Sequence, residues 1–190
     1  MTRLYVAGHM LTRGAQLQRM HERYELEVAN PELQFYVPQE NKAINDKKAN
    51  SKDNKLAEKI VKQDTDALFW ADTVVIEPLP EACGTMVELG QIKGMKDVAE
   101  QVLRILDDND LSPAEAVEVL YGEMLQHQNR KVYPHFEDIR RVDGITETGD
   151  RRSLGINQYV YGVCLDLTDG EGFYEWDNIV STLSTNKDSN

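Results

Sequence analysis

The chain has 190 residues with a formal net charge of −12 and a pI near 4.8. No Lys/Arg-rich stripe offsets that acidity, which argues against a nucleic acid polymer or an anionic membrane as partner, while a small uncharged ligand stays open. A domain of this size buries about 70% of the surface its unfolded chain exposes, so it needs no covalent staples.

Residues 4–8 (Leu-Tyr-Val-Ala-Gly) read as a first strand and 12–27 as a helix. A second strand over 33–37 stops at Pro38, and the polar stretch 39–53 is longer than an ordinary connection, as functional or disordered loops are. A helix follows over 54–70, then a third strand over 73–77 closed by Pro78 and Pro80. Gly84-Thr85 opens the next helix, which carries Glu88 and is expected to end near Gly94. Residues 97–129 read as an inserted pair of helices, the second announced by Ser112-Pro113-Ala114-Glu115: an N-cap, a Pro at N1 and a capping-box Glu. Strands four and five are expected over 131–136 and 162–167, a last helix over 173–183, and a disordered polar tail over 184–190. Apolar runs alternating with helical stretches predict an α/β fold: a flavodoxin-like or Rossmann-like five-stranded parallel sheet with helices on both faces. In such sheets ligands sit beyond the carboxyl ends of the strands, where strand order reverses.

Three residues break the pattern where chemistry would. On the 54–70 helix, Leu56, Ile60, Ala67 and Leu68 form an apolar stripe, and Asp64 falls on it where a hydrophobe is expected. A buried carboxylate is costly unless paired or protonated; the plain alternative is a helix rotated enough to wet Asp64. Glu88 sits in the first turns of its helix, where the dipole favours the ionised form and burial opposes it; by position alone it reads as an ordinary helix-start acid. Tyr5 lies inside a strand expected to be buried on both faces, so its hydroxyl needs a partner, a carboxylate or a backbone carbonyl. Asp66 reads as solvated and Asp72 as a helix-exit residue bonded to backbone donors.

Other chemistries lack their signatures. His9, His21, His127 and His135 share no metal-ligand spacing, and there is no Walker loop and no GxGxxG. No metal or organic cofactor is expected. Cys83 and Cys164 match no metal or redox spacing and read as free thiols. The chain enters its first strand with no charged leader or long apolar run, so a cytoplasmic protein is expected.

Taken in order, these segments resemble the nucleoside 2-deoxyribosyltransferase family. The opening Leu4-Tyr5-Val6-Ala7-Gly8 looks like its first-strand signature, and Asp64-x7-Asp72-Thr-Val-Val like its helix-to-strand signature. Cys83-Gly84-Thr85-Met86-Val87-Glu88-Leu89-Gly90 is similar to its SGTxxELG nucleophile motif. Tyr36-Val37-Pro38-Gln39-Glu40-Asn41 is similar to its second strand and substrate loop, and Gly155-Ile156-Asn157-Gln158 to a late INxM segment. The likeness covers residues 3–95 and, more weakly, 131–182.

The resemblance implies base exchange on 2′-deoxynucleosides, with the nucleoside and a free nucleobase as ligands. Glu88 would be the nucleophile, Tyr5 its orienting hydroxyl and Asp64 the proton carrier for the base. Gly8, Asn41 and Gly84 would line the substrate. Asn157 would reach into a neighbouring subunit's site, making the active unit a homo-oligomer with shared sites. Ala82 departs from the pattern, because transferases of the family commonly carry an acid six positions before the nucleophile. Hydrolase relatives acting on deoxynucleoside monophosphates often have a small residue there; adjacent Glu81 is a possible substitute, and Arg13 a candidate phosphate contact. A non-catalytic flavodoxin-like binding module is the reading from another class.

Overall fold

The computed structural model describes residues 1–79, 81–135 and 147–184. Three parallel strands form the sheet: β1 (Arg3–Ala7), β2 (Gln34–Tyr36) and β3 (Thr73–Ile76). Their order is β2-β1-β3, so the chain leaves β1 to one side and returns to the other. Tyr5 pairs with Tyr36 on one flank and Val74 on the other. The ends of β1 at Ala7 and β3 at Ile76 flank the point where strand order reverses.

Alternation along β1 divides the core. Leu4 and Val6 face one way with Val37, against Leu26 of α1 (Arg13–Ala29), whose N-terminus is capped by the Thr12 hydroxyl. Tyr5 and Ala7 face the other way, against Ala67 and Leu68 of α4 (Leu56–Trp70) and against Ile92 and Met95 of α5 (Cys83–Leu106). The loop between β2 and α4 folds into a 3-10 turn (Pro38–Glu40) and two short helices, α2 (Lys42–Asn45) and α3 (Lys47–Asn50). Then come α6 (Pro113–Gln128), a 3-10 turn (Gly149–Ser153), α7 (Gln158–Asp166) and α8 (Trp176–Ser184).

The five-stranded expectation fails. Among the described residues the protein is helix-rich, 60% helical, around a three-stranded sheet. The expected fifth strand, 162–167, falls largely inside α7. Tyr161, Gly162 and Leu165 recur at helical spacing on its buried face, which packs along α4. A Cβ at Gly162 would collide with Ala57 O and Val61 Cγ2, so the glycine permits a close helix crossing. The expected fourth strand reduces, over 131–135, to an isolated bridge between His135 and Tyr174; Phe136 lies outside the described residues. The helix carrying Glu88 does not stop at Gly94 but continues to Leu106, 24 residues in all, so the first helix of the expected insertion is its continuation. The second, α6, starts with the expected capping box between Ser112 and Glu115. Of the polar tail, 185–190 lie outside the described residues. Among those described, no helix is long and apolar enough to cross a membrane.

Candidate functional site

Tyr5, at the centre of β1, is wholly buried with its ring toward α4 and α5. Its hydroxyl donates to Glu88 Oε1 at 2.6 Å. Glu88 lies in the second turn of α5, on the face turned toward the sheet, and is 6% exposed. Asp64, on the inward face of α4, is 4% exposed and accepts a 2.7 Å bond from the Tyr36 hydroxyl at the end of β2. That hydroxyl also accepts from Asn41 Nδ2 at 3.1 Å, which frees its own proton for Asp64. The Tyr5 and Tyr36 rings stack with centroids 5.3 Å apart. Two carboxylates on two helices thus each meet one tyrosine hydroxyl, and the two tyrosines stack across adjacent strands.

Burial sets the electrostatics. It pushes Glu88 up to about 7, opposed by the Tyr5 hydrogen bond and reinforced by the charge of Asp64. Burial likewise lifts Asp64 to about 6 against the bond from Tyr36. Tyr5 and Tyr36 are both held well above the ordinary phenol range, first by burial and then by the neighbouring carboxylates, so both remain proton donors. Both carboxyls therefore exchange protons near neutral pH, the range in which acid–base chemistry operates.

The remaining expected residues fall around this centre. Gly8 follows β1, and a Cβ there would overlap the guanidinium of Arg19. Asn41 belongs to the Tyr36–Asp64 chain and also donates to Gln63 Oε1. Gly84, in the first turn of α5, lies beside Asn157: a Cβ on Gly84 would stand 3.3 Å from Asn157 Oδ1. Asn157 N-caps α7, accepting from Tyr159 N at 2.9 Å and Val160 N at 3.3 Å. It therefore sits against α5, the helix of Glu88, in its own chain. Ala82 is buried just before α5 while Glu81 is exposed, so Glu81 does not occupy the inward position. Asp72 bonds Arg3 N and pairs with its guanidinium, Asp66 pairs with Lys62, and Arg13 is exposed. Both cysteines are free.

Several residues of this neighbourhood escaped the sequence reading. Tyr36 was seen only as part of a motif, although an aromatic at the end of a strand beside a buried acid is a usable signal. Arg19 is 1% exposed; it donates to Ala7 O at 3.1 Å and to Glu22, and pairs with Glu77 just beyond β3. It ties together the carboxyl ends of β1 and β3, and nothing in a run of charged helix residues marks it as inward. Tyr159, Gln91 and Thr65 close a ring of hydrogen bonds joining α7, α5 and α4. Gln91 is three residues past Glu88 and Thr65 one past Asp64, so this ring holds the two acids' helices in register. Behind Tyr36, a cavity of about 330 Å³ is lined by Asn41, Gln63, Ala67 and Trp70.

The arrangement offers two buried carboxyls that exchange protons near neutrality and two fixed hydroxyl donors. Among the described residues, no cluster of His, Cys, Asp and Glu has the geometry to hold a metal ion. Compared with known proteins, the chain matches no family model, no curated protein and no solved structure.

Proposed function

We propose that this protein cleaves the N-glycosidic bond of 2′-deoxynucleosides and passes the deoxyribosyl group to a second nucleobase. The observation that carries this reading is the buried hydrogen bond from Tyr5, at the centre of β1, to Glu88, with the charge of Asp64 acting on the same carboxyl. In the first step a Glu88 oxygen bonds C1′ as the C1′–N bond breaks, and the departing base takes a proton from Asp64. In the second, Asp64 accepts the proton of the incoming base, whose nitrogen bonds C1′ as the C1′–O bond to Glu88 breaks. Two displacements retain the anomeric configuration, by the logic of retaining glycosidases. The oxocarbenium-like transition state favours 2′-deoxy substrates, because a 2′-hydroxyl withdraws electron density from C1′. The resemblance of five motifs to the deoxyribosyltransferases supports the same assignment.

Ala82 favours a second reading. With a buried methyl where the family's transferases commonly carry an acid, water can take the sugar and the enzyme becomes an N-glycosidase. One assay separates the cases: a deoxynucleoside donor, a second free base, and chromatography of the products. A new nucleoside supports transfer and released base alone supports hydrolysis. Neither product would remove both readings and leave a non-catalytic binding protein.

A further inference from the structure

Asn41 has no hydrogen-bond donor left for a ligand. Pro38 ends the extended run through Tyr36 and Val37, and after the turn Asn41 becomes the N-cap of α2. Its side-chain Oδ1 accepts from Ala43 N at 3.1 Å. A backbone N–H only donates, so that contact fixes which end of the amide is oxygen and turns Nδ2 toward Tyr36. Both Nδ2 hydrogens are then taken, one by the Tyr36 hydroxyl at 3.1 Å and one by Gln63 Oε1. The backbone N–H of Asn41 reaches Pro38 O. The residue that the resemblance assigns to the substrate is thus directed, through both its donors, at its own chain.

The consequence falls on Asp64. With an amide donor on its oxygen, the Tyr36 hydroxyl directs its one proton at Asp64 Oδ1, 2.7 Å away. Asp64 Oδ2 has no hydrogen-bond partner among the described residues and is not sealed from solvent. When Asp64 is protonated, its proton therefore sits on Oδ2, because Oδ1 is occupied as an acceptor. Burial is the larger influence on this acid and holds it up, and the bond from Tyr36 is what opposes it. Tyr5 of β1, Glu88 of α5 and Tyr159 of α7 are the other titratable groups on which its charge acts, and none of them is bonded to it. We infer that Asn41 and Tyr36 are positioning residues for Asp64: Asn41 commits the Tyr36 proton to Oδ1, and Oδ2 is the oxygen through which Asp64 gives and takes the proton of the base. This rests on the proposed function only for the identity of the base; the coupling of Asn41 to Tyr36 to Asp64 is measurable without turnover.

The test is a pH titration of Asp64 by carboxyl NMR of protein isotope-labelled at aspartate, its signal identified by loss in Asp64→Asn. Tyr36→Phe keeps the ring stacked on Tyr5 and removes the bond, so the Asp64 midpoint is expected to rise by roughly one to two pH units. Asn41→Ser keeps a capping oxygen for α2 and removes the amide donor, so the midpoint is expected to rise by less, in the same direction. Because Asn41 acts through Tyr36, adding Asn41→Ser to Tyr36→Phe is expected to move it no further. A purely structural part for either residue would lower thermal stability and leave the midpoint in place, which would overturn the proposal. An Asn41→Ser shift of equal size with and without the Tyr36 hydroxyl would overturn the action of Asn41 through Tyr36. In an active enzyme, a raised KM for Asn41→Ser with an unmoved midpoint would return Asn41 to the substrate and overturn it equally. A chain with neither exchange nor hydrolysis that still shows these shifts would lose the proposed function and keep the coupling.

Discussion

The Tyr5 hydroxyl reaches Glu88 Oε1 at 2.6 Å across 83 positions of chain, inside the core. It joins the central strand to the second turn of α5 and makes the ionisation of Glu88 depend on a residue of β1. Of the causes acting on Glu88, this bond is the one that favours the charged form; burial and Asp64 both oppose it.

Tyr5→Phe keeps the ring and removes that bond. Glu88 then becomes harder to ionise, and the acidic limb of the kcat/KM profile moves to higher pH. A charge-assisted bond of about 1.5–3 kcal/mol corresponds to roughly one to two pH units. A pH–rate series on both proteins measures the shift, and an unmoved limb would detach Tyr5 from the proposed chemistry of Glu88.

Both acids also leave a mark on stability. Each has a folded-state value above its unfolded one: Glu88 about 7 against 4.5, Asp64 about 6 against 3.8. The stability tied to their protonated forms is complete below about pH 4 and is lost as pH rises through 6 and 7. Glu88→Gln and Asp64→Asn, which cannot ionise, should therefore stabilise the fold at pH 8 by the order of 1–3 kcal/mol each and change little at pH 4. Thermal unfolding at the two pH values checks this; equal effects at both would mean neither acid is held up by burial.

Gly8 and Arg19 should be energetically coupled. Gly8→Ala drives a methyl into the guanidinium and expels it from Ala7 O and Glu77. The expected cost is about 3 kcal/mol in the unmodified chain and below about 1 kcal/mol once Arg19→Ala has cleared the space. Denaturant unfolding of the four proteins closes the cycle, and strict additivity would contradict the contact.

Asn157 caps α7 with its side-chain oxygen. Asn157→Ala should cost about 1 kcal/mol, while Asn157→Asp, which keeps a capping oxygen, should cost far less. Equal losses in thermal unfolding would take the cap out of the account.

Asp64 and Tyr5 could be singled out because each is a polar group where its element expects burial. Glu88 reads by position as an ordinary helix-start acid and is picked out only by the motif it shares with the resembled family, and the fold buries all three, with Tyr5 bonded to Glu88. The sheet was overcounted because a six-residue apolar run does not distinguish a strand from a buried helix. The run 162–167 belongs to α7 since Tyr161, Gly162 and Leu165 pack against α4. At Gly94 a helix stop was expected, yet the residues after it are good helix formers with no proline, so α5 absorbs the glycine. Arg19 was invisible for the opposite reason: a charged residue among charged residues reads as solvated until β3 places Glu77 beside it.

The most direct test of the central claim is the covalent state of Glu88 during turnover. The protein is mixed with a donor nucleoside whose 2′-fluorine slows both steps, quenched in acid, digested and analysed by mass spectrometry. The account predicts that the peptide containing Glu88 gains the mass of one fluorinated deoxyribosyl group, that a second base discharges it, and that Glu88→Ala shows neither the adduct nor exchange. An adduct on another residue would contradict the account. Exchange in Glu88→Ala at more than about a hundredth of the unmodified rate would contradict it equally, because loss of the nucleophile should cost more than the ~10²-fold typical of lesser groups.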